Sequence, residues 1–346
     1  MSNGLYNAMT QPEITNQIYF SGDEYFQACL DSISKAQKSI TLKSYIFEVD
    51  NIGMQFLAAL DRSTQRGATV LITIDGWGSY NSIHKISEEC LRRKFQFRVH
   101  HPILSHFRWL NRRDHRKFIL IDDRIILLGS FNISKVHSFA QMGRLAWRDT
   151  GIKIEFTNKS LNAKIIEHPI LQSNIKPFER FLMNRKLNRR IKTAQKFIHI
   201  TNPYFIPRPR LIKNLKKSAK NGVQVKLLLP SVSDVWLVRL ASRSIYRRLL
   251  NAGINIYEYQ PCVLHAKTIQ IDNWATIGSL NLNHRSLLHD LEIEAILTEP
   301  KDLKILSEQW EIDLKNSKKI TKQDLEDSSI IQKILGQFVY WFRYWL

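Results

Sequence analysis

The feature that most constrains the fold of this 346-residue chain is that it is written twice. Lys38–Asp50 (KSITLKSYIFEVD) is echoed 158 positions later by Lys196–Arg208 (KFIHITNPYFIPR). Both segments alternate and are rich in β-branched and aromatic residues, the pattern of strands. Arg66–Ile74 (RGATVLITI) matches Asn221–Leu229 (NGVQVKLLL), where a polar-Gly helix stop runs into a short apolar strand of the kind buried in parallel sheets. Phe95–Pro102 (FQFRVHHP) likewise matches Ile254–Pro261 (INIYEYQP). Helical patterns fall between these strands, at Glu24–Lys35, Gly53–Gln65, Ser82–Arg93, Leu211–Lys220 and Val238–Asn251. Strand and helix alternate in the same order in both halves, so the expected fold class is α/β, built as two similar lobes, each a mixed β-sheet flanked by helices.

The sharpest match carries chemistry. His115-Arg-Lys117, then Asp122, then Gly129-Ser130-Phe-Asn132 recurs as His265-Ala-Lys267, then Asp272, then Gly278-Ser279-Leu-Asn281. In each copy His and Lys stand two apart before an apolar strand, so in extended chain both point to one face. Splitting a phosphodiester needs a nucleophile, cationic or N–H donors for the phosphoryl oxygens, and an acid for the departing alkoxide. Two histidines, two lysines and two asparagines supply all three without a divalent metal or another cofactor. One imidazole can attack phosphorus while the other, protonated, donates to the leaving oxygen and later activates the incoming alcohol. The remaining histidines belong to neither block and are assigned to the surface or to packing.

The duplicated HxKx4D…GSxN pattern resembles the phospholipase D superfamily. Trp147-Arg148-Asp149-Thr150 before an alternating GIKIE, Gly278–Ser286 (GSLNLNHRS) before His289–Ile293 (HDLEI), and Asn202–Pro207 (NPYFIP) resemble the bacterial cardiolipin synthases, in the shorter form without N-terminal spanning helices. The resemblance runs from about Tyr19 to Leu297. It implies two phospholipase D-like lobes, at residues 19–175 and 176–325, closing on one shared active-site cleft, after an N-terminal extension at 1–18 and before a distinct segment at 326–346. It further implies that His115 is the nucleophile and His265 the acid and base, although the reverse assignment satisfies the same pattern. Lys117, Lys267, Asn132 and Asn281 match phosphate-holding positions, with Ser130 and Ser279 as supporting donors. Asp149 and Glu292 match the acidic residues that orient the two imidazoles, and Asp122 and Asp272 are expected to be structural. Asn283 and His284 stand where the family pattern has other residues, so acceptor identity is the point left open.

Composition narrows the surroundings. Lys and Arg total 51 against 31 acidic residues, a formal charge of +20, which gathers polyanions or an anionic lipid surface. Cys29, Cys90 and Cys262 lie far apart and spell neither a disulfide framework nor a zinc site. Met1–Asn16 lacks the basic start and apolar stretch of a signal peptide, and no apolar run is long enough to span a bilayer. Ile330–Leu346 (IIQKILGQFVYWFRYWL) instead places apolar residues at 331, 334, 335, 338, 341, 342 and 345, a helical stripe with Trp341, Tyr344 and Trp345. It is expected to lie in the membrane interface, or alternatively to pack on the body or on a second subunit. The expected reaction is phosphatidyl transfer between two phosphatidylglycerols at the cytoplasmic face of the cell membrane, with release of glycerol and with no obligate protein partner. Hydrolysis to phosphatidic acid, a phosphodiesterase acting on nucleic acid, and a non-catalytic membrane scaffold are the alternatives. His115 lies thirteen positions after Pro102, but His265 only four after Pro261, so the first half carries a basic, aromatic insertion, Ile103–Arg113, expected to overhang a shared cleft.

Overall fold

The computed structural model describes residues 14–102, 112–156, 167–327 and 329–344, so most of the Ile103–Arg113 insertion lies outside the described residues, as does Trp345. Two sheets carry the molecule. The first contains β1 (Ile14–Tyr19), β2 (Ser39–Ser44), β3 (Thr69–Asp75), β4 (Gln96–His100), β5 (Phe118–Ile121), β6 (Ile125–Gly129) and β7 (Gly151–Phe156), in the order β1-β7-β6-β5-β2-β3-β4. The second contains β8 (Leu171–Ser173), β9 (Phe197–Thr201), β10 (Gln224–Pro230), β11 (Asn255–Tyr259), β12 (Thr268–Ile271), β13 (Trp274–Gly278), β14 (Ile293–Leu297) and β15 (Ser317–Lys319), in the order β15-β11-β10-β9-β12-β13-β14-β8. Stripped of edge strands, both sheets have one topology. β2, β3 and β4 run parallel with β5 antiparallel to β2, just as β9, β10 and β11 run parallel with β12 antiparallel to β9.

Alternation explains how each lobe closes and how the two join. In β5 and β6, Ile119, Ile121, Ile125 and Leu127 face the helices of their own lobe, while Phe118, Ile126 and Leu128 face the other way. On that other side they meet Ala275, Ile277, Ile293 and Ala295 of β13 and β14, so one apolar layer welds the sheets together. The helices follow the same logic. In Asn51–Gln65 the Asp50 carboxylate accepts from the Ile52 and Gly53 N–H groups at 3.0 Å, and Ile52, Phe56, Leu57 and Leu60 bury one face.

Several sequence boundaries move. β1 begins at Ile14, inside the expected extension, because its alternate residues pair along β7; β8 falls before residue 176 yet bonds to β14 of the second sheet. The helix expected over Val238–Asn251 is two, Trp236–Arg243 and Tyr246–Leu250, parted where the Ser244 hydroxyl donates to the Ala241 carbonyl. The two long extended segments form strands only over Ser39–Ser44 and Phe197–Thr201; beyond them the chain turns toward the cleft. The C-terminal helix Ile330–Trp341 packs on Trp236–Arg243 through Gly336, Val339 and Tyr340, which are buried. Ile331, Ile334, Phe338, Trp341 and Phe342 of the expected stripe remain exposed. Among the described residues, no helix is long and apolar enough to cross a membrane.

Candidate active site

Each His-x-Lys block lies just before the central antiparallel hairpin of its sheet, β5–β6 or β12–β13, and each GSxN block just after it. Gly129 and Gly278 end β6 and β13 where the next strand passes close: a Cβ at Gly129 would meet the Thr150 carbonyl at 2.5 Å, and one at Gly278 the Ile293 carbonyl at 2.3 Å. Only glycine fits there. Asp122 and Asp272 occupy the hairpin turns with φ of 53° and 49°. Asp122 accepts backbone N–H groups from Gln37, Lys38 and Ser39 at 2.7–2.9 Å, and Asp272 those of Gln195, Lys196 and Phe197 at 2.8–3.0 Å. They tie each hairpin to the start of β2 or β9, away from the histidines.

The lobes then cross. A backbone bridge joins Asp114 to Leu291, and another joins Arg148 to Leu264. The His115 N–H donates to the Leu291 carbonyl at 2.9 Å, and the His265 N–H to the Arg148 carbonyl at 2.8 Å. Each histidine is thereby set beside the acidic residue of the opposite lobe. His115 Nδ1 stands 3.1 Å from Glu292 and 3.0 Å from the Ser279 carbonyl, while His265 Nδ1 stands 2.6 Å from Asp149. A carbonyl oxygen only accepts, so His115 Nδ1 carries the hydrogen and Nε2 keeps its lone pair. Ser130 and Ser279 do not reach into the cleft as donors: their hydroxyls hydrogen-bond Asp149 and Glu292 respectively and fix the carboxylates.

His115, His265, Asn132 and Asn281 line one cleft of about 450 Å³, room for a phosphodiester and its headgroup. Lys117 and Lys267, both buried, donate to the carbonyls of their own histidines at 2.9 and 2.8 Å, and Lys267 Nζ lies 3.2 Å from His265 Nε2. The Asn132 amide oxygen accepts from the Ile46 N–H at 3.2 Å, which leaves its NH2 group to donate. Among the described residues His137, Asp149 and His265 bring possible metal-ligand atoms within 4.8 Å of one another. Hydrogen bonds already explain that closeness, since His137 Nε2 accepts from the Asn132 N–H at 3.2 Å and His265 is held by Asp149.

Electrostatics separate the two imidazoles. Burial, then the ammonium groups of Lys117 and Lys267, hold His115 well below its ordinary value. Its partner Glu292 is raised by burial to about 7 against the field of Lys117. Burial and Lys267 also lower His265, but Asp149 opposes them through charge and hydrogen bond. Burial resists ionisation of Asp149 as well; the His265 ring outweighs it and keeps that carboxyl below the usual range. Burial lowers Lys117 to about 7, helped by Lys267, and Lys267 to about 8. His115 is therefore a neutral imidazole beside a half-neutral carboxyl, whereas His265 stands beside a fixed negative charge that favours its protonated form.

Some site residues escaped the sequence reading. His137, which the sequence alone leaves to the surface or to packing, is buried, with Nδ1 3.4 Å from Asp149 and Nε2 on the Asn132 N–H, so it braces two site residues. The signal was the register of the repeat, because His137 stands five after Asn132 as Ser286 stands five after Asn281, and Ser286 bonds the other carboxylate, Glu292. Tyr45, Trp77, Trp147, Tyr204, Asp234 and Arg285 also line the cleft. Of the two departures from the family pattern, Asn283 caps the helix His284–Leu288 by accepting from the Ser286 N–H, and His284 meets the Ile206 carbonyl.

Residues 29–141 and 187–314 match the family model described as cardiolipin synthase, PLD-like domain. The cardiolipin synthase of Clostridium perfringens (strain 13 / Type A) is 31% identical over 354 residues, covering 92% of this chain and 74% of that protein. Cardiolipin synthase B of Shigella flexneri is 30% identical over 313 residues, covering 81% of this chain and 76% of that protein. The crystal structure of phosphatidylserine synthase from Haemophilus influenzae Rd KW20 superposes with a TM-score of 0.74 at 16% identity, over 96% of this chain and 95% of that one, and so shares the fold.

Proposed function

Because this chain belongs to the cardiolipin synthase family of phospholipase D-like proteins, we propose that it transfers a phosphatidyl group from one phosphatidylglycerol to a headgroup hydroxyl of another and releases glycerol. The observation that carries the reading is the pair of cross-braced imidazoles on one cleft, each with a carboxylate from the opposite lobe. His115 Nε2 attacks phosphorus, the N–P bond forms as the bond to the headgroup oxygen breaks, and protonated His265 gives that oxygen its proton. Neutral His265 then takes the proton of the incoming hydroxyl as its oxygen bonds phosphorus and the N–P bond breaks. The balance is two phosphatidylglycerols to one cardiolipin and one glycerol. Lys117, Lys267, Asn132 and Asn281 hold the phosphoryl oxygens in a buried site, where their donors act with little screening. His115 suits the nucleophile because burial and two lysines keep it unprotonated, and His265 suits the proton carrier because Asp149 stabilises its charged form.

The lipid reading also fits the C-terminal helix. Ile331, Ile334, Phe338, Trp341 and Phe342 form an apolar face that the body leaves uncovered. Laid in the interface of an anionic membrane, to which the formal charge of +20 draws the protein, this face holds it where its lipid substrates lie. The decisive assay supplies purified protein with phosphatidylglycerol vesicles, in EDTA, and follows cardiolipin, phosphatidic acid and plasmid nicking together. Cardiolipin is the expected product. Phosphatidic acid alone overturns transfer in favour of hydrolysis, and nicked plasmid without lipid turnover overturns both lipid readings. For the phosphohistidine, His115→Ala is expected to abolish acid-labile labelling from a phosphate-labelled donor; labelling that persists reverses the roles of the two histidines.

A further inference from the structure

The repeat makes the cleft nearly symmetric at the phosphate and asymmetric around it. Beside His115 lie Tyr45, with ring centroids 4.9 Å apart, and Trp77; the cation on the cleft wall, Arg285, is paired with Asp290 at 3.3 Å. Beside His265 lie Trp147 at 5.4 Å and Tyr204 at 6.3 Å between ring centroids, with Val235 and Val238 as apolar wall. At the mouth on this side is Asp234, exposed, in the turn between β10 and the helix Trp236–Arg243. The matching turn of the first lobe offers Ser79 there, whose hydroxyl is occupied by the Tyr45 carbonyl and the Phe47 N–H.

Asp234 is oriented rather than loose. The Tyr204 hydroxyl donates to its Oδ2 at 2.5 Å, and burial together with the Asp234 charge keeps that phenol protonated. Among the described residues Oδ1 meets the Ser233 hydroxyl alone, at 3.4 Å, and so retains acceptor capacity. Asp234 lines the same cleft as His265, and the Tyr204 ring that holds it stands 6.3 Å from the His265 ring, so its carboxylate faces the space beside the proton carrier. In-line displacement by His115 puts the departing oxygen, and later the attacking one, on the His265 side. What occupies that side is the headgroup alcohol, and the protein greets it with a carboxylate, which accepts hydroxyl hydrogens and repels phosphate.

We propose that Asp234, held by Tyr204, is a specificity-determining residue for the headgroup alcohol. It accepts a hydrogen bond from a non-reacting hydroxyl of the leaving glycerol and then from the equivalent hydroxyl of the incoming headgroup, so the site selects vicinal diols over simple alcohols. This rests on the phosphatidyl-transfer reading above.

The test is headgroup exchange on phosphatidylglycerol vesicles, with labelled glycerol and propan-1-ol competing as acceptors; the two alcohols have the same carbon chain and differ in their hydroxyls. The ratio of labelled phosphatidylglycerol to phosphatidylpropanol is the readout, and it does not depend on how much active protein is present. Wild type is expected to favour glycerol, Asp234→Ala to lower the ratio about tenfold, the order of one hydrogen bond to a charged group at a hydrated mouth, and Tyr204→Phe to lower it in the same direction by less. An unchanged ratio in Asp234→Ala overturns the proposal. If that variant does not fold, an unchanged ratio in Tyr204→Phe does so; loss of both products from a folded Asp234→Ala also counts against it, because the residue then serves the chemistry and not the choice of alcohol. Wild type that forms neither product and no cardiolipin refutes phosphatidyl transfer itself, whereas cardiolipin with neither exchange product overturns the selection of the alcohol alone.

Discussion

Replacing Asp149 by Asn removes a charge and, with Oδ1 kept by the Ser130 and Thr150 donors, sets an NH2 group opposite His265 Nδ1 where an acceptor stood. The side chain is fully buried, it receives the Ser130 hydroxyl and the Thr150 N–H, and it stands 2.6 Å from His265 Nδ1. An amide of the same shape keeps the packing but loses the ion pair that forms each time His265 is protonated. With charge centres about 4 Å apart and an effective dielectric near 20, that pair contributes about 4 kcal/mol, which corresponds to about three decades in rate. Glu292→Gln is the matched control on the other side of the pseudo-symmetric site. Burial has raised Glu292 to about 7, so much of its charge is already absent near neutrality, and the neutral His115 asks it only to accept from Nδ1–H. Its replacement is therefore expected to slow transfer by about tenfold, the scale of one buried hydrogen bond. The assay is acid-quenched turnover of a phosphate-labelled phosphatidylglycerol, resolving phosphoenzyme from cardiolipin, with circular dichroism to confirm folding. Asp149→Asn within tenfold of wild type, or Glu292→Gln slower than Asp149→Asn, refutes the assignment of His265 as the proton carrier.

Four further outcomes follow from the same geometry. Lys117 at about 7 and Lys267 at about 8 lose their charge as pH rises through those values, so the affinity for sulfate, measured by competition with the lipid donor, is expected to fall more than about tenfold between pH 6.5 and 9; a flat profile refutes it. A Cβ at Gly336 would meet the Leu240 carbonyl at 2.6 Å, so Gly336→Val is expected to cost about 1–3 kcal/mol in denaturant unfolding. Phe338→Glu with Trp341→Glu, on the uncovered face, is expected to leave stability intact and weaken vesicle sedimentation about tenfold or more. Asp122→Ala leaves three backbone N–H groups without their acceptor and is expected to cost about 1–2 kcal/mol at neutral pH. Because those N–H groups lower the Asp122 carboxyl below its ordinary value despite some burial, its contribution is present above the unfolded value and is lost as pH falls through the folded one. The gap from wild type is thus expected to close below about pH 4, and a gap that persists there assigns the effect to something other than the carboxylate.

The sequence by itself determined the repeat and its consequences. Period-two strands, Gly-terminated helices and duplicated His-x-Lys and GSxN blocks are local signals, and they mark out two like lobes and single out His115, His265, Asn132 and Asn281, which the structure brings to one cleft. What it could not contain is partnership across 116 to 177 positions. Asp149 and Glu292 were both legible as companions of histidines, but that each serves the imidazole of the opposite lobe follows from the bridges Asp114–Leu291 and Arg148–Leu264. Those bridges form where β6 and β13, buried along their whole length, pack the two sheets back to back. The same packing turned Ser130 and Ser279 from substrate donors into braces, drew His137 into the site, and left the Phe338–Trp341 face of the last helix bare while Gly336 let its other face close on the body. Side-chain type sets what a residue is able to do; which group it does it to is decided by the burial that brings distant strands into register.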